Sequence, residues 1–336
     1  MVRPAATALT IALLSAVSGC GFGDGGEDSR LTIYSGRQPD LVKPLLDRYA
    51  KKHGIELEVR YGGTPELAAT LTEEGDASPA DVFFSQDAGA LGSLQDEGRL
   101  ARLPRDLLGS VDERFRSPSG DWVGVSGRAR VIAYNRGELK QSDLPRSVLG
   151  LTAGAWRGKV GWAPTNASFQ SFVTALRKSV GEGRAERWLR DMRENDAQIY
   201  ENNIAIRDAV AKGEIEVGLI NHYYVAEARA EEGPDYPVGI YEPPDGDPGA
   251  LVNAAGAAVL DSSDASGEAR RFVRFLLSKE AQEYFAGELK EYPLAAGVKP
   301  QRGLVPLSRI RQPDVDLSDL SDLQGTVELL EKTGVL

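Results

Sequence analysis

Cysteine is almost absent. Cys20 is the sole thiol in 336 residues, so no disulfide can form within the chain. Histidine is nearly as scarce, and any Ser-His-Asp triad would have to use His53 or His222. The H-E-x-x-H, G-x-S-x-G and P-loop motifs are missing, which removes the commonest sequence signatures of hydrolases and nucleotide-binding enzymes. Positive charge is in deficit, with 39 Lys and Arg against 50 Asp and Glu and a net charge of −11. A field of that sign repels a polyanion over most of the surface, so a nucleic-acid grip is excluded. There is no tandem repeat, and only one strongly apolar run, near the N-terminus. With 41% hydrophobic and 26% charged residues the rest has ordinary globular usage, which argues against disorder and against multi-pass membrane architecture. The length suggests two domains at about 100–200 residues each.

The apolar run has the parts of a secretory leader. Arg3 supplies the positive start, Ala8 to Val17 an apolar core too short to span a bilayer, and Val17-Ser18-Gly19-Cys20 a small-residue ending. That ending resembles a bacterial lipobox, in which the cysteine is lipidated and becomes the first mature residue. The expectation is a leader over 1–19, lipidation at Cys20, and a flexible Gly- and acid-rich tether over 20–30.

From Leu31 onward short apolar strands alternate with amphipathic helices. Strands are expected at Leu31–Tyr34, Leu57–Tyr61 and Asp81–Phe84, with helices at Leu41–Lys52 and Pro65–Glu74 between them. The second half continues with strands at Val131–Tyr134, Val160–Trp162 and Val217–Ile220 and helices at Ser168–Val180, Arg184–Arg193 and Ile204–Lys212. A turn-rich stretch from Glu242 to Gly249 precedes a strand at Ala254–Leu260 and a helix at Ala265–Leu277. Such alternation predicts an α/β fold with mixed, mostly parallel sheets flanked by helices, whose ligands gather at the carboxyl ends of strands.

Five segments carry a family resemblance: Ile33-Tyr34-Ser35-Gly36-Arg37, Ala80-Asp81-Val82-Phe83-Phe84, Val160 to Asn166, Asn221-His222-Tyr223-Tyr224, and Glu291 to Gly297. In this order they resemble the periplasmic ferric-iron-binding proteins of ABC importers over roughly Leu31 to Pro306. The resemblance implies a two-lobed clamshell like one half of transferrin. Lobe one would comprise 31–128 plus 253–304, and lobe two 129–252 plus 305–336. It further implies a monomeric, extracytoplasmic receptor that is not an enzyme, anchored to the membrane by its lipid and delivering to the transmembrane subunit of an ABC permease.

Ferric ion is a hard cation that prefers charged oxygen ligands, and a phenol gives up its proton when such a cation sits on it. Tyr223 and Tyr224 are the strong ligand candidates, with two aromatics packing at a helix start as the plain alternative; in a regular strand they would face opposite sides, so sharing one metal requires the backbone to bend there. Gln38 and Gln86 stand where members of the family carry histidine and glutamate ligands, and a neutral amide binds ferric ion weakly. Asp87 could substitute, although a helix N-cap is the ordinary role for Asp there. Phe169 falls near a further family tyrosine and cannot coordinate. A synergistic anion, phosphate or carbonate, would then complete the shell. By resemblance it would sit on Asn166, Ala167 and Ser168 at a helix N-terminus, with Asn203 and Asn221 nearby. Arg37 is an anion or ion-pair candidate, with a solvated arginine as its plain alternative. His53 reads as a surface residue at a helix C-terminus, and His222 as a neighbour of the tyrosines. Two other functions stay open: a clamshell receptor for an organic phosphate, thiamine or polyamine, and a secreted carboxylate-dependent hydrolase.

Overall fold

The computed structural model describes residues 30–336; the expected leader, Cys20 and the tether up to residue 29 lie outside the described residues. The chain opens with β1 (Arg30–Ser35), α1 (Pro39–His53), β2 (Glu56–Tyr61), α2 (Thr64–Glu74), β3 (Val82–Ser85), α3 (Ala88–Asp96), β4 (Leu100–Ala101) and α4 (Arg105–Leu108). The long β5 (Val123–Asn135) leads into β6 (Val160–Trp162), α5 (Ala167–Val180), α6 (Glu182–Glu194), β7 (Gln198–Ile199), α7 (Asn203–Lys212), β8 (Val217–Asn221), α8 (Tyr223–Glu232) and β9 (Val238–Tyr241). Then β10 (Val252–Leu260) returns, followed by α9 (Ser266–Leu276), α10 (Lys279–Gly287), β11 (Tyr292–Pro293) and α11 (Leu323–Lys332).

Local chemistry explains the helices that frame the site. In α1, Pro39 sits in the first turn and Lys51, Lys52 and His53 in the last, matching the dipole at each end, while Gly54 at φ +63 closes it left-handed. Its Val42, Leu45, Leu46 and Tyr49 are buried at helical spacing. His53 is exposed and lies 4.5 Å from the Tyr49 ring. Asp87 and Asn166 cap α3 and α5 with their side-chain oxygens.

The strand order is β2-β1-β3-β10-β5-β8-β6-β7. Parallel pairings occupy the two ends, β1 with β2 and β3 at one and β6 with β7 and β8 at the other. The middle is antiparallel because β5 and β10 run through it in opposite senses, with a bulge at Ala255/Gly256. Ala129 is opposite Val252 of β10, whereas Arg130 is opposite Asn221 of β8, so β5 changes partners between those two residues. One side buries Phe83, Phe84, Trp122, Phe272 and Phe285 in a first core. The other buries Trp162, Phe169, Phe172 and Trp188 against α5 and α6, and Val131, Ile206 and Ile220 against α7. The tail assigned wholly to lobe two divides instead. Ile310, Leu317 and Leu320 join the first core, and Leu329, Leu330 and Val335 the second. The apolar spacing of α11 leads it back across α5 only after the preceding turn has packed on α3.

Candidate functional site

The carboxyl ends of β3 and β8, the start of α5 and the crossing of β5 meet at a narrow cavity of about 10 Å³ between the cores. Gln86, Asp87, Arg128, Arg130, Ala167, Ser168, Asn221 and Asn253 are among its lining residues. A side chain at Gly36 would collide with Thr64, so the turn after β1 can approach α2 only without a Cβ. The Thr64 hydroxyl, at the start of α2, donates to Gly36 O at 3.4 Å and accepts the Gln86 N–H at 3.1 Å, so it bridges the loops after β1 and β3.

Tyr223 and Tyr224 open α8 and are not strand residues. The helical backbone already begins at His222 (φ −58, ψ −37), which supplies the bend that two adjacent ligands require. Their rings lie 4.2 Å apart at 32°. Burial pushes the Tyr223 phenol well above its ordinary range; the neighbouring Tyr224 adds to the rise, and Arg128 opposes it. Without a cation on it, Tyr223 is therefore a neutral phenol.

Beside the tyrosines, Ser168, Asn203 and Asn221 converge on one group that sequence reasoning missed, Arg130. Its guanidinium donates to Leu219 O at 2.9 Å and reaches Ser168 Oγ, Asn203 Oδ1 and Asn221 Oδ1 at 3.4 Å each. All four acceptors are neutral. Phe169 and Phe172 lie under the guanidinium at 6.0 and 5.5 Å, so Phe169 is an aromatic floor and not a ligand. Burial without a carboxylate partner lowers the Arg130 pKa to about 10, and both phenols lie within its electrostatic reach. Asn166 Oδ1 also accepts from the Ser168 amide at 3.1 Å and from Asn203 Nδ2 at 3.2 Å, so capping and the network share one atom. Arg128, the second missed arginine, donates to Gln86 O, and its Nε is buried without a partner. The sequence signal available for both was their place on a strand, two residues apart, and hence on one face.

Other expected residues stand elsewhere. Arg37 is 2% exposed and donates to Glu291 Oε1 at 2.9 Å, with Ser126 Oγ donating to Glu291 Oε2 at 2.6 Å. It is therefore the ion-pair partner and not the solvated arginine of the two plain readings, since a buried charge requires a paired one. Gln38 is exposed at the start of α1, and Gln86 lines the cavity. Asp87 spends its carboxylate on the Ala90 amide at 3.3 Å, and burial raises its pKa against the pull of Arg128. His222 is wholly buried with both ring nitrogens engaged, at 3.1 Å to Ala129 N and 3.0 Å to Lys290 O, so it has no lone pair left for a metal. Among the described residues no group of three or more His, Cys, Asp or Glu side chains could hold a metal ion.

Residues 77–305 match the family described as bacterial extracellular solute-binding protein. The major ferric iron-binding protein of Neisseria meningitidis serogroup B is 34% identical over 91% of this chain and 93% of that protein. The Fe(3+)-binding periplasmic protein of Serratia marcescens is 33% identical over 97% of both. Iron-bound HitA from Pseudomonas aeruginosa superposes with a TM-score of 0.84 at 35% identity, covering 91% of this chain and 99% of that one. A Trichodesmium protein in complex with iron and citrate superposes at 0.80 with 30% identity, covering 91% and 99%. The chain thus belongs to the bacterial extracellular solute-binding proteins, as a binding protein and not an enzyme, in company with relatives named for ferric iron.

Proposed function

We propose that this protein captures ferric iron outside the cytoplasm, using the Tyr223 and Tyr224 phenolates together with an exogenous anion, and passes it to the transmembrane subunit of an ABC permease. The carrying observation is that two adjacent phenols at a helix start face a buried arginine that has no acidic partner. Ferric ion displaces the phenol protons, which burial otherwise retains, and Arg130 with Asn166, Ser168, Asn203 and Asn221 holds phosphate or carbonate beside it. Gln38 and Gln86 contribute weakly at most, as neutral amides. The relatives' names and the iron-bound structures support this reading.

In the same proposal Cys20 carries a lipid that anchors a monomer at the membrane face. The two cores act as lobes, 31–128 with 253–304 and 129–252 with the end of the chain, rotating about the strands that cross between them. The partner change of β5 after Ala129 supports that division. The arginines also suit a phosphate-bearing solute taken without iron. A visible spectrum separates the two readings, since phenolate-to-iron charge transfer absorbs visible light. Ferric salt with phosphate or carbonate should colour the parent protein. Tyr223→Phe and Tyr224→Phe should each lose most of the band with the fold intact, whereas Gln38→Ala and Gln86→Ala should keep it. Colour that survives the double tyrosine variant would defeat the proposal.

A further inference from the structure

His222, the residue before the tyrosine pair, grips the hinge strand twice. Its backbone N–H donates to Ala129 O at 2.9 Å, and its ring Nδ1 accepts from Ala129 N at 3.1 Å. Ala129 is the last residue of β5 opposite β10 before the strand turns to β8. Because Nδ1 accepts, the ring proton sits on Nε2, which donates to the carbonyl of Lys290 at 3.0 Å. The ring also lies 4.6 Å from that of Tyr292 at 34°.

Lys290, Glu291 and Tyr292 belong to the other side of the molecule and are pinned there. Lys290 is left-handed at φ +56, a conformation a non-glycine residue keeps only where its surroundings impose it. Glu291 is held by Arg37 and Ser126, and Arg37 lies in the loop that follows β1. Tyr292 pairs with Gly127 of β5 and donates its hydroxyl to Val305 O at 2.9 Å. A chain of direct contacts therefore runs from the loop after β1, through Arg37, Glu291 and Lys290, to the imidazole one residue ahead of Tyr223.

We infer that His222 is a positioning residue: its Nε2–H···O bond to Lys290 clasps the tyrosine-bearing end of α8 to the first core and holds the two sides at the closed angle. This role rests on the ferric reading of the tyrosines. Opening the cavity separates the second core, which carries α8, from the first, which carries Lys290. The clasp thus resists the motion that would release ligand and is expressed in the dissociation rate, with the donor set itself unchanged.

The test compares full-length His222→Asn and His222→Gln with the parent, each loaded with ferric salt and phosphate. Asn reproduces the Nδ1 acceptor for Ala129 but is too short to reach Lys290, whereas Gln places an amide N–H near the position of Nε2. His222→Asn should keep the visible band, showing that both tyrosines still bind. It should lose iron to an excess of competing chelator about tenfold faster, the factor appropriate to one buried hydrogen bond left unmade. Its loaded radius of gyration should exceed that of the parent, and His222→Gln should restore the rate to within about threefold. A coloured parent whose Asn variant releases iron at the parent rate overturns the clasp alone. Loss of the band in both variants also overturns it, by making His222 part of the ligand geometry. A colourless parent overturns the ferric reading and this role with it.

Discussion

Arg130 is a buried cation that the folded protein holds at a cost, and replacing it with Met should expose that cost. An arginine whose pKa falls from its ordinary value to about 10 on folding is disfavoured in its charged form by about 3 kcal/mol, at 1.36 kcal/mol per unit. The sign follows from the direction: a base with a depressed folded pKa destabilises the fold at every pH below that value, and the cost fades only as pH rises past about 10. Against it stand the bond to Leu219 O at 2.9 Å, worth roughly 1 kcal/mol, and three contacts at 3.4 Å that are too long to add much. The aromatic floor of Phe169 and Phe172 accepts a thioether about as well as a guanidinium. Arg130→Met should therefore raise the stability of iron-free protein by about 1–2 kcal/mol, a gain of a few degrees in Tm at roughly 2–4 °C per kcal/mol. The same variant should lose the dependence of iron binding on added phosphate or carbonate. Thermal and urea midpoints of chelator-washed protein, with iron titrations at several anion concentrations, measure both effects. A lower midpoint with anion dependence intact would make Arg130 a structural residue and refute the reasoning.

Acid should weaken the fold through His222, whose pKa is lowered by burial to about 4. Stability is retained above the unfolded value near 6.5 and lost as pH falls from there towards 4, by up to about 3 kcal/mol; urea midpoints at pH 7 and 4.5 should differ less in His222→Gln than in the parent, and equal differences would refute it. Cys20→Ala should move the protein from membrane to soluble fraction with its iron binding unchanged, and continued membrane retention would refute lipid anchoring.

Amphipathic helices and short apolar strands, even those buried at every residue such as β3, β6 and β8, were legible in the sequence, and the long β5 was so only in part. Apolar residues in α1 recur at helical spacing between a proline start and a glycine stop, and the observed helix extends the expected one by two residues at one end and one at the other. By contrast, only the last third of β5 was read as strand. Val123, Val125, Ala129 and Val131 alternate with Gly124, Ser126, Arg128 and Arg130, a pattern that would send the arginines to a solvated face, yet all thirteen residues are buried. The same feature hid the chemistry. Sequence reasoning sends arginine to solvent, yet Arg128 and Arg130 point into the cavity from a strand covered on both sides. Arg37 was visible as a charge, but its partner Glu291 lies 254 residues away, and only the fold brings them together. The tyrosine pair was singled out through the family resemblance, and its place at a helix start, the setting of the plain packing alternative, is the one the fold gives it.

Formal charge connects these observations. Arg37 is matched by Glu291, and Arg128 has Asp87 within its reach, so among the described residues Arg130 is the cavity arginine with no carboxylate beside it. Two phenolates leave a ferric ion with one positive charge, and Arg130 adds another. On the proposed reading a dianion closes that count, and hydrogen phosphate and carbonate are both dianions. A carboxylate in place of Gln86 would lower the positive charge by one and weaken the demand for an external anion, because both would compete for the same field. The neutral amides at Gln38 and Gln86 are thus consistent with the unpaired arginine: fewer protein charges on the ligand side are met by a buried cation that recruits the missing charge from solution. On that reading the site releases its cargo when the anion departs to solvent or protons return from solvent to the phenolates, and both steps require the cleft to open.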